Sequence, residues 1–287
     1  MEKGWGEVFI MAKIIVVTNF SASSRNALDY ACKFLHNPTT SVLLLNIFSF
    51  PGSLTGDAIA IAAMSETLLN DERKLQLEYE WVKNNYPDIN IQTEMVTGIF
   101  IDELYTKAIE ENTSMIIMGA DGRYNELLAW DANIVDAFID LDIPVLVVPS
   151  TISYRPIKKI AFAVNYYRKN LQMPLSMIKR LITFTKAQLY LINVVSPKEV
   201  IDETAIGYKK EVQDELAELL PVYYEPEFKN IFTAIDKFAA EEEIDMLLVI
   251  PARHGLWHKI FQQDHTTGIV NLNHLPVLSL RREIEFS

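Results

Sequence analysis

Two glycines three residues apart, Gly119 and Gly122, close an apolar run in the stretch MGADGRYNELLAWDANIVDAF, residues 118–138. Glycines in such a turn let the backbone approach a sugar or phosphate, and the free N–H groups of a following helix start hold an anion. After nine intervening residues stand Ala132 and Asn133. Asn133 can cap a helix with its side chain, whereas Ala132 adds a Cβ where close approach needs none. The same loop carries two carboxylates, Asp121 and Asp131. Like charges at short range cost on the order of several kcal/mol unless a cation stands between them, and Mg²⁺ is such a cation. The plainer role for Asp131 is to favour the helix start through the macrodipole.

A second group of reactive side chains lies near the end of the chain. Four of the five histidines, His254, His258, His265 and His274, fall within 21 residues. His254 and His258 are four apart, which puts two imidazoles on one face of a helix, and Asp264 or His265 offers a third ligand. The glutamate of an H-E-x-x-H pair is missing, so the plainer reading is a solvated loop whose histidines titrate near neutral pH. Arg253, Lys259, Arg168 and Lys169 add cations. Ser21, Ser23 and Ser24 have no neighbouring base or Gly-x-Ser-x-Gly elbow, and they read as capping residues of a helix rather than nucleophiles.

The elements that must hold these residues follow from periodicity. KIIVVTN (13–19) is a short strand, SASSRNALDYACKFL (21–35) sets Ala27, Leu28, Ala31, Cys32 and Leu35 on one helical face, and SVLLLNIF (41–48) is a buried strand. A long helix runs from Asp57 to about Asn85, NIQTEMV (90–96) alternates like an edge strand, FIDELYTKAIEEN (100–112) is amphipathic, and SMIIMG (114–119) is a strand. A helix is expected from about Asn133, then the strand IPVLVVP (143–149). The apolar start of the long helix, AIAIAAM (58–64), is expected in the core.

The order then repeats. KKIAFAVN (158–165) matches the first strand, with Asn165 146 positions after Asn19; AQLYLINV, EIDMLLVI and LPVLSL match later strands of the first half. Strands alternating with helices imply right-handed crossovers and parallel sheets. The expected fold is α/β, with two tandem doubly wound parallel-sheet domains, 11–150 and 151–287, divided near the polar segment STISYRP.

Composition narrows the function. The chain has 287 residues, a formal net charge of −12 and 49% hydrophobic residues, so partners are expected among small molecules and proteins, not nucleic acid or membrane. Cys32 is the single cysteine, read as a buried small hydrophobe in a reducing compartment, and a cytoplasmic location is expected. Residues 1–10 precede a second start at Met11 and are read as an extension.

The opening strand with NFSASSRNALDYA, the IIMGADG turn and the closing DIPVLVVP resemble the universal stress protein family in its tandem two-domain form, over residues 13–280. The resemblance implies five parallel strands per domain, layered in the flavodoxin-like manner of the adenine nucleotide alpha hydrolases, with the domains packed as an intramolecular pseudo-dimer. It also implies an ATP or AMP site with Gly, two residues, Gly, nine residues, then Gly and Ser or Thr, and an Asp ending the first strand. Gly119 and Gly122 match the glycine pair; Ala132 and Asn133 stand where Gly and Ser or Thr belong; Asn19 replaces the Asp; Ile47 falls where a backbone contact to adenine is implied. In the second half Gly255 is kept, Ala252 replaces the first glycine, His265 and Thr266 take the later places, Asn165 replaces the Asp, and Arg253 adds charge.

Both loops therefore read as altered connections. The glycines favour the first for ATP or AMP, and charge favours the second for an anion. The expected function is stress-linked regulation by binding, without catalysis; the alternative is a metal- or anion-binding protein built on the second-half histidines. No Walker-type Lys-Ser/Thr ending is present for an ATPase.

Overall fold

Short β-branched runs buried on both sides make the sheets of this chain. The computed structural model describes residues 13–35, 40–49, 58–121, 129–164, 166, 173–193, 203–225, 231–251 and 274–281. They fall into two compact units.

Unit 1 takes the described residues up to Asp121, those of 125–137, and Val145–Tyr154. Its elements run β1 (Lys13–Val17), α1 (Ala22–Phe34), β2 (Ser41–Phe48), α2 (Ala58–Asn85), β3 (Asn90–Thr97), α3 (Phe100–Glu110), β4 (Thr113–Ala120), α4 (Ala129–Asp140), of which residues from Phe138 on count with unit 2, and β5 (Val145–Pro149). The strand order is β3-β2-β1-β4-β5, and all these pairings are parallel. Residues 14–17, 42–45 and 115–118 are buried throughout, as central parallel strands covered on both faces must be. Edge strand β3 has only one fully buried residue among its eight, Ile91, in keeping with its alternating sequence.

Helix α1 buries Ala27, Leu28, Ala31 and Cys32, with Leu35 just beyond its end, on the face its periodicity predicts. Burial pushes the Cys32 thiol up to about 12, so it sits there as a small apolar side chain. Helix α3 buries Phe100, Leu104 and Ala108 at a spacing of four, and Asp102 and Glu103 in its first turn suit the positive end of its dipole.

Two expectations are corrected. Helix α4 begins at Ala129 and not near Asn133, because Ala129 and Trp130 continue into the helix and Asp131 already lies in its first turn. Where its burial is described, from Ala62 on, the early part of α2 is not core. Ala62 and Ala63 are exposed, Met64 and Leu68 are half-buried, and Leu69 is exposed, whereas Leu75, Glu78 and Val82 are buried nearer the end of the helix. Residues 50–57, including Asp57, lie outside the described residues.

The segment after β5 stays with unit 1. Asn26 Nδ2 donates to the carbonyls of Pro149 and Ile152 at 3.0 and 2.9 Å, and Tyr154 stacks edge-on against Tyr30 at 5.2 Å. From Arg155 onward the contacts change: Arg155 Nε pairs with Asp245 Oδ1 at 2.6 Å, within unit 2.

Unit 2 takes Phe138–Pro144 and the described residues from Arg155 on. Its elements are β6 (Lys159–Val164), α5 (Leu175–Thr185), β7 (Gln188–Asn193), α6 (Glu203–Leu216), a 3₁₀ turn (Ala217–Leu219), β8 (Val222–Tyr224), α7 (Ile231–Glu241), β9 (Met246–Val249) and β10 (Val277–Ser279). The order is β10-β9-β6-β7-β8, again parallel. With β6 matched to β1, this is the strand order of unit 1. The strands predicted at 158–165, 187–194, 243–250 and 275–280 all form.

Candidate crevice at the carboxyl ends of the first sheet

In unit 1 the strand order reverses between β1 and β4, and a doubly wound sheet offers its ligand crevice beyond the carboxyl ends of two such strands. Register brings Val17 opposite both Leu45 and Met118, so Thr18, Asn46 and Gly119 are the next residues out. Thr18 is buried and its N–H donates to the Leu45 carbonyl, extending the ladder by one bond.

Asn19, predicted to face a ligand, is exposed, and its Oδ1 accepts from the Ser21 N–H at 3.1 Å and from Ser21 Oγ at 2.6 Å. The chain turns at Phe20, whose φ of 63° lies in the left-handed region. Ser21 then caps α1, accepting from the Ser24 N–H at 3.2 Å, which is the predicted capping role. The hydroxyls continue as a chain: Ser21 Oγ lies 2.8 Å from Ser23 Oγ, Ser24 Oγ donates to the Ser21 carbonyl at 3.0 Å, and Thr18 Oγ1 lies 3.2 Å from Ser24 Oγ. These polar groups satisfy one another.

Gly119 is the penultimate residue of β4, buried against the start of α1. A Cβ at this position would overlap the backbone carbonyl of Ser23 and stand 2.7 Å from the Ser24 nitrogen. The first glycine of the motif is thus required by close packing of a helix start on a strand, a role that sequence reading did not assign. Its carbonyl accepts from Trp130 Nε1 at 3.0 Å, and the Trp130 ring meets Phe100 edge-on at 6.0 Å. Trp130 therefore packs locally.

Ile47 is half-buried on β2 opposite Val96. Ala132 and Asn133 are half-buried within α4, which already includes Ala129, so the predicted capping role of Asn133 is corrected: the N–H groups that follow it lie past the four free ones of a helix start. Asp131 is buried and Asp121 exposed. Gly122, Asn165, Arg168, Lys169, Ala252, Arg253, Gly255, Lys259, Thr266 and the histidines 254, 258 and 265 lie outside the described residues. His274 is described, with Nε2 3.4 Å from Asp236 Oδ1. Among the described residues no group of three metal-ligating side chains converges, and no helix is long and apolar enough to cross a membrane.

Two residues went unnoticed in the sequence. Asn46 and Asn193 lie at the same place, after four apolar residues, in the second strands of the two units and are both buried. Asn46 Nδ2 donates to the Thr18 carbonyl at 2.8 Å, while the Oδ1 of each has no hydrogen-bond partner among the described residues. The signal was available: one amide ends each of the apolar runs VLLLN and LYLIN.

Comparison with known proteins places this geometry. The model of the universal stress protein family matches residues 11–149. A universal stress protein from Archaeoglobus fulgidus DSM 4304 is similar over 96% of this chain and 97% of its own, at 16% identity with a TM-score of 0.66. A functionally unknown protein from Pseudomonas aeruginosa PAO1 is similar over 96% and 94%, at 15% identity with a TM-score of 0.51. These two likenesses concern the fold. A universal stress protein family protein from Arabidopsis thaliana with AMP bound is similar over 47% of this chain and 90% of its own, at 15% identity; its TM-score of 0.32 is too low to transfer the ligand. No curated protein matches the sequence significantly. Residues 11–149 of this chain are thus similar to the universal stress protein family.

Proposed function

We propose that this protein is a stress-response regulator that acts by binding, without turnover, and that the crevice of unit 1 is its small-molecule site. The observation that carries the reading is how the crevice uses its own polar groups. Asn19, Ser21, Ser23, Ser24 and Thr18 form a closed chain around the start of α1, and Gly119 is occupied by helix packing. A nucleophile or general base needs a group poised toward a reacting atom, and these hydroxyls point at one another.

The same reading limits the nucleotide. Asn19 supplies no charge, its carbonyl oxygen is engaged by Ser21, and Asp121 and Asp131 oppose a phosphate. ATP and AMP are expected to bind weakly, with half-saturation above about 1 mM, which corresponds to roughly 4 kcal/mol. We take the domain division to fall near residue 150 and the location to be cytoplasmic, the latter supported by the single buried thiol. Regulation then rests on protein partners.

The test is a titration of the full chain with ATP and with AMP, each with and without Mg²⁺, followed by tryptophan fluorescence and calorimetry beside an assay for released phosphate. Trp130 is the reporter, since it hydrogen-bonds the Gly119 carbonyl. Weak binding without phosphate release supports the proposal, and affinity gained only with Mg²⁺ supports it with a cation beside the aspartates. Micromolar binding with steady phosphate release overturns it.

A further inference from the structure

Helix α2 is longer than its place in unit 1 requires. Its 28 residues span about 42 Å, whereas the eight-residue strands it connects, β2 and β3, span about 26 Å. The end of the helix is anchored through Leu75, Glu78 and Val82, and its residues from Ala62 to Asn70 are exposed or half-buried.

The face opposite that anchor is unusual. Ala62, Glu66, Leu69, Arg73 and Leu77 follow one another at spacings of four, three, four and four, which forms one stripe along the helix. All five are exposed, Leu69 at 55% and Leu77 at 62%. A solvent face is ordinarily polar, and among the described residues two leucines in line on it are unpartnered. Neither Glu66 nor Arg73 has an ion pair among the described residues, although Lys74 beside them pairs with Asp71.

The outer four positions of the stripe, 62, 66, 73 and 77, are spaced symmetrically, and reversing the stripe sets unlike residues opposite one another. About the peptide bond between Leu69 and Asn70, Ala62 is the mirror of Leu77 and Glu66 is the mirror of Arg73. Two such helices laid antiparallel across a two-fold axis set each Glu66 against the partner's Arg73 and each small Ala62 beneath the partner's Leu77, with the Leu69 pair at the axis. The Glu66–Arg73 and Ala62–Leu77 contacts then each occur twice, as an isologous interface demands. We propose that the exposed face of α2 binds a second copy of this chain in this antiparallel arrangement. The contact uses about five side chains from each helix and falls at the low end of specific interfaces, under roughly 1,200 Å² in total, so the dimer is weak and reversible. It needs no ligand in the crevice and stands independently of the function proposed above.

Sedimentation of the nucleotide-free full chain from about 1 µM to about 1 mM tests it. The expected result is an average mass that rises toward a dimer. Leu69→Glu, which crowds two carboxylates at the axis, weakens association by at least about tenfold, and Glu66→Arg or Arg73→Glu alone weakens it about three- to tenfold. The double exchange Glu66→Arg with Arg73→Glu restores it to within about twofold, a recovery that only antiparallel self-pairing produces. All four variants change exposed positions, and circular dichroism checks that each folds. A wild-type chain that stays monomeric at the highest concentration overturns the proposal. So does association that Leu69→Glu leaves unchanged, or a double exchange that fails to recover.

Discussion

Gly119 shows what a single residue decides. Its place in a glycine pair suggests room for a ligand, yet the neighbour that leaves no room for a Cβ is the backbone of Ser23 and Ser24. Gly119→Ala is therefore expected to destabilise unit 1 by about 2–3 kcal/mol, because backbone on both sides must give way. Urea unfolding checks the value, and an alanine variant as stable as the natural chain would return the glycine to a ligand role. At this scale the site was half legible. The Ser21 cap was readable from a hydroxyl residue before an apolar helical face. The Asn19 interaction was not, because an amide that turns back on its own loop has the same sequence as one that faces a ligand. Asn46 and Asn193 were missed since a single polar residue after an apolar run carries no spacing of its own.

Elements were legible where periodicity was long. β1, β2, α1, α3 and the end of α2 fall where their apolar patterns put them. The start of α4 did not, since Asn133 looks like a cap, whereas Ala129, Trp130 and Asp131 already lie in the helix. Strand β8 was not foreseen: its three residues, Val222–Tyr224, are too few to show a period. The end of α4 has a partner no local pattern announces. Within unit 2, Arg281 donates from Nη2 to the Phe138 carbonyl at 2.8 Å, from Nη1 to Ile139 at 3.2 Å and from Nε to Ile143 at 3.4 Å. Burial lowers its guanidinium to about 10, against the pull of Asp142 and Asp140, which keep the cation favoured. A cation there also meets the negative end of the helix dipole. Arg281→Met is expected to cost about 2–3 kcal/mol in urea unfolding, by leaving buried carbonyls without donors. Arg281→Lys recovers only part of it, since an ammonium cannot span three acceptors with a planar fork. Equal stability of all three proteins would refute the capping role.

For the whole molecule, the repeated order of strands was the strongest signal in the sequence, because alternating strands and helices admit few topologies. The net charge of −12 bears on how copies of the chain meet. Two bodies of that charge repel across the Debye length, about 30 Å at 0.01 M salt and about 8 Å at 0.15 M. Salt also weakens the two Glu66–Arg73 pairs of the proposed dimer, but exposed pairs contribute only about 0–1 kcal/mol each and are screened less at contact distance. The long-range repulsion involves every charge on both copies and is the larger effect. Self-association should therefore strengthen from 0.01 to about 0.15 M salt as this repulsion is screened, and change little from there to about 0.5 M, where the leucines carry it. Sedimentation at the three ionic strengths measures this. A steady weakening with salt would mean that ion pairs, not Leu69 and Leu77, hold the copies together, and Leu69→Ala would then leave the association nearly intact.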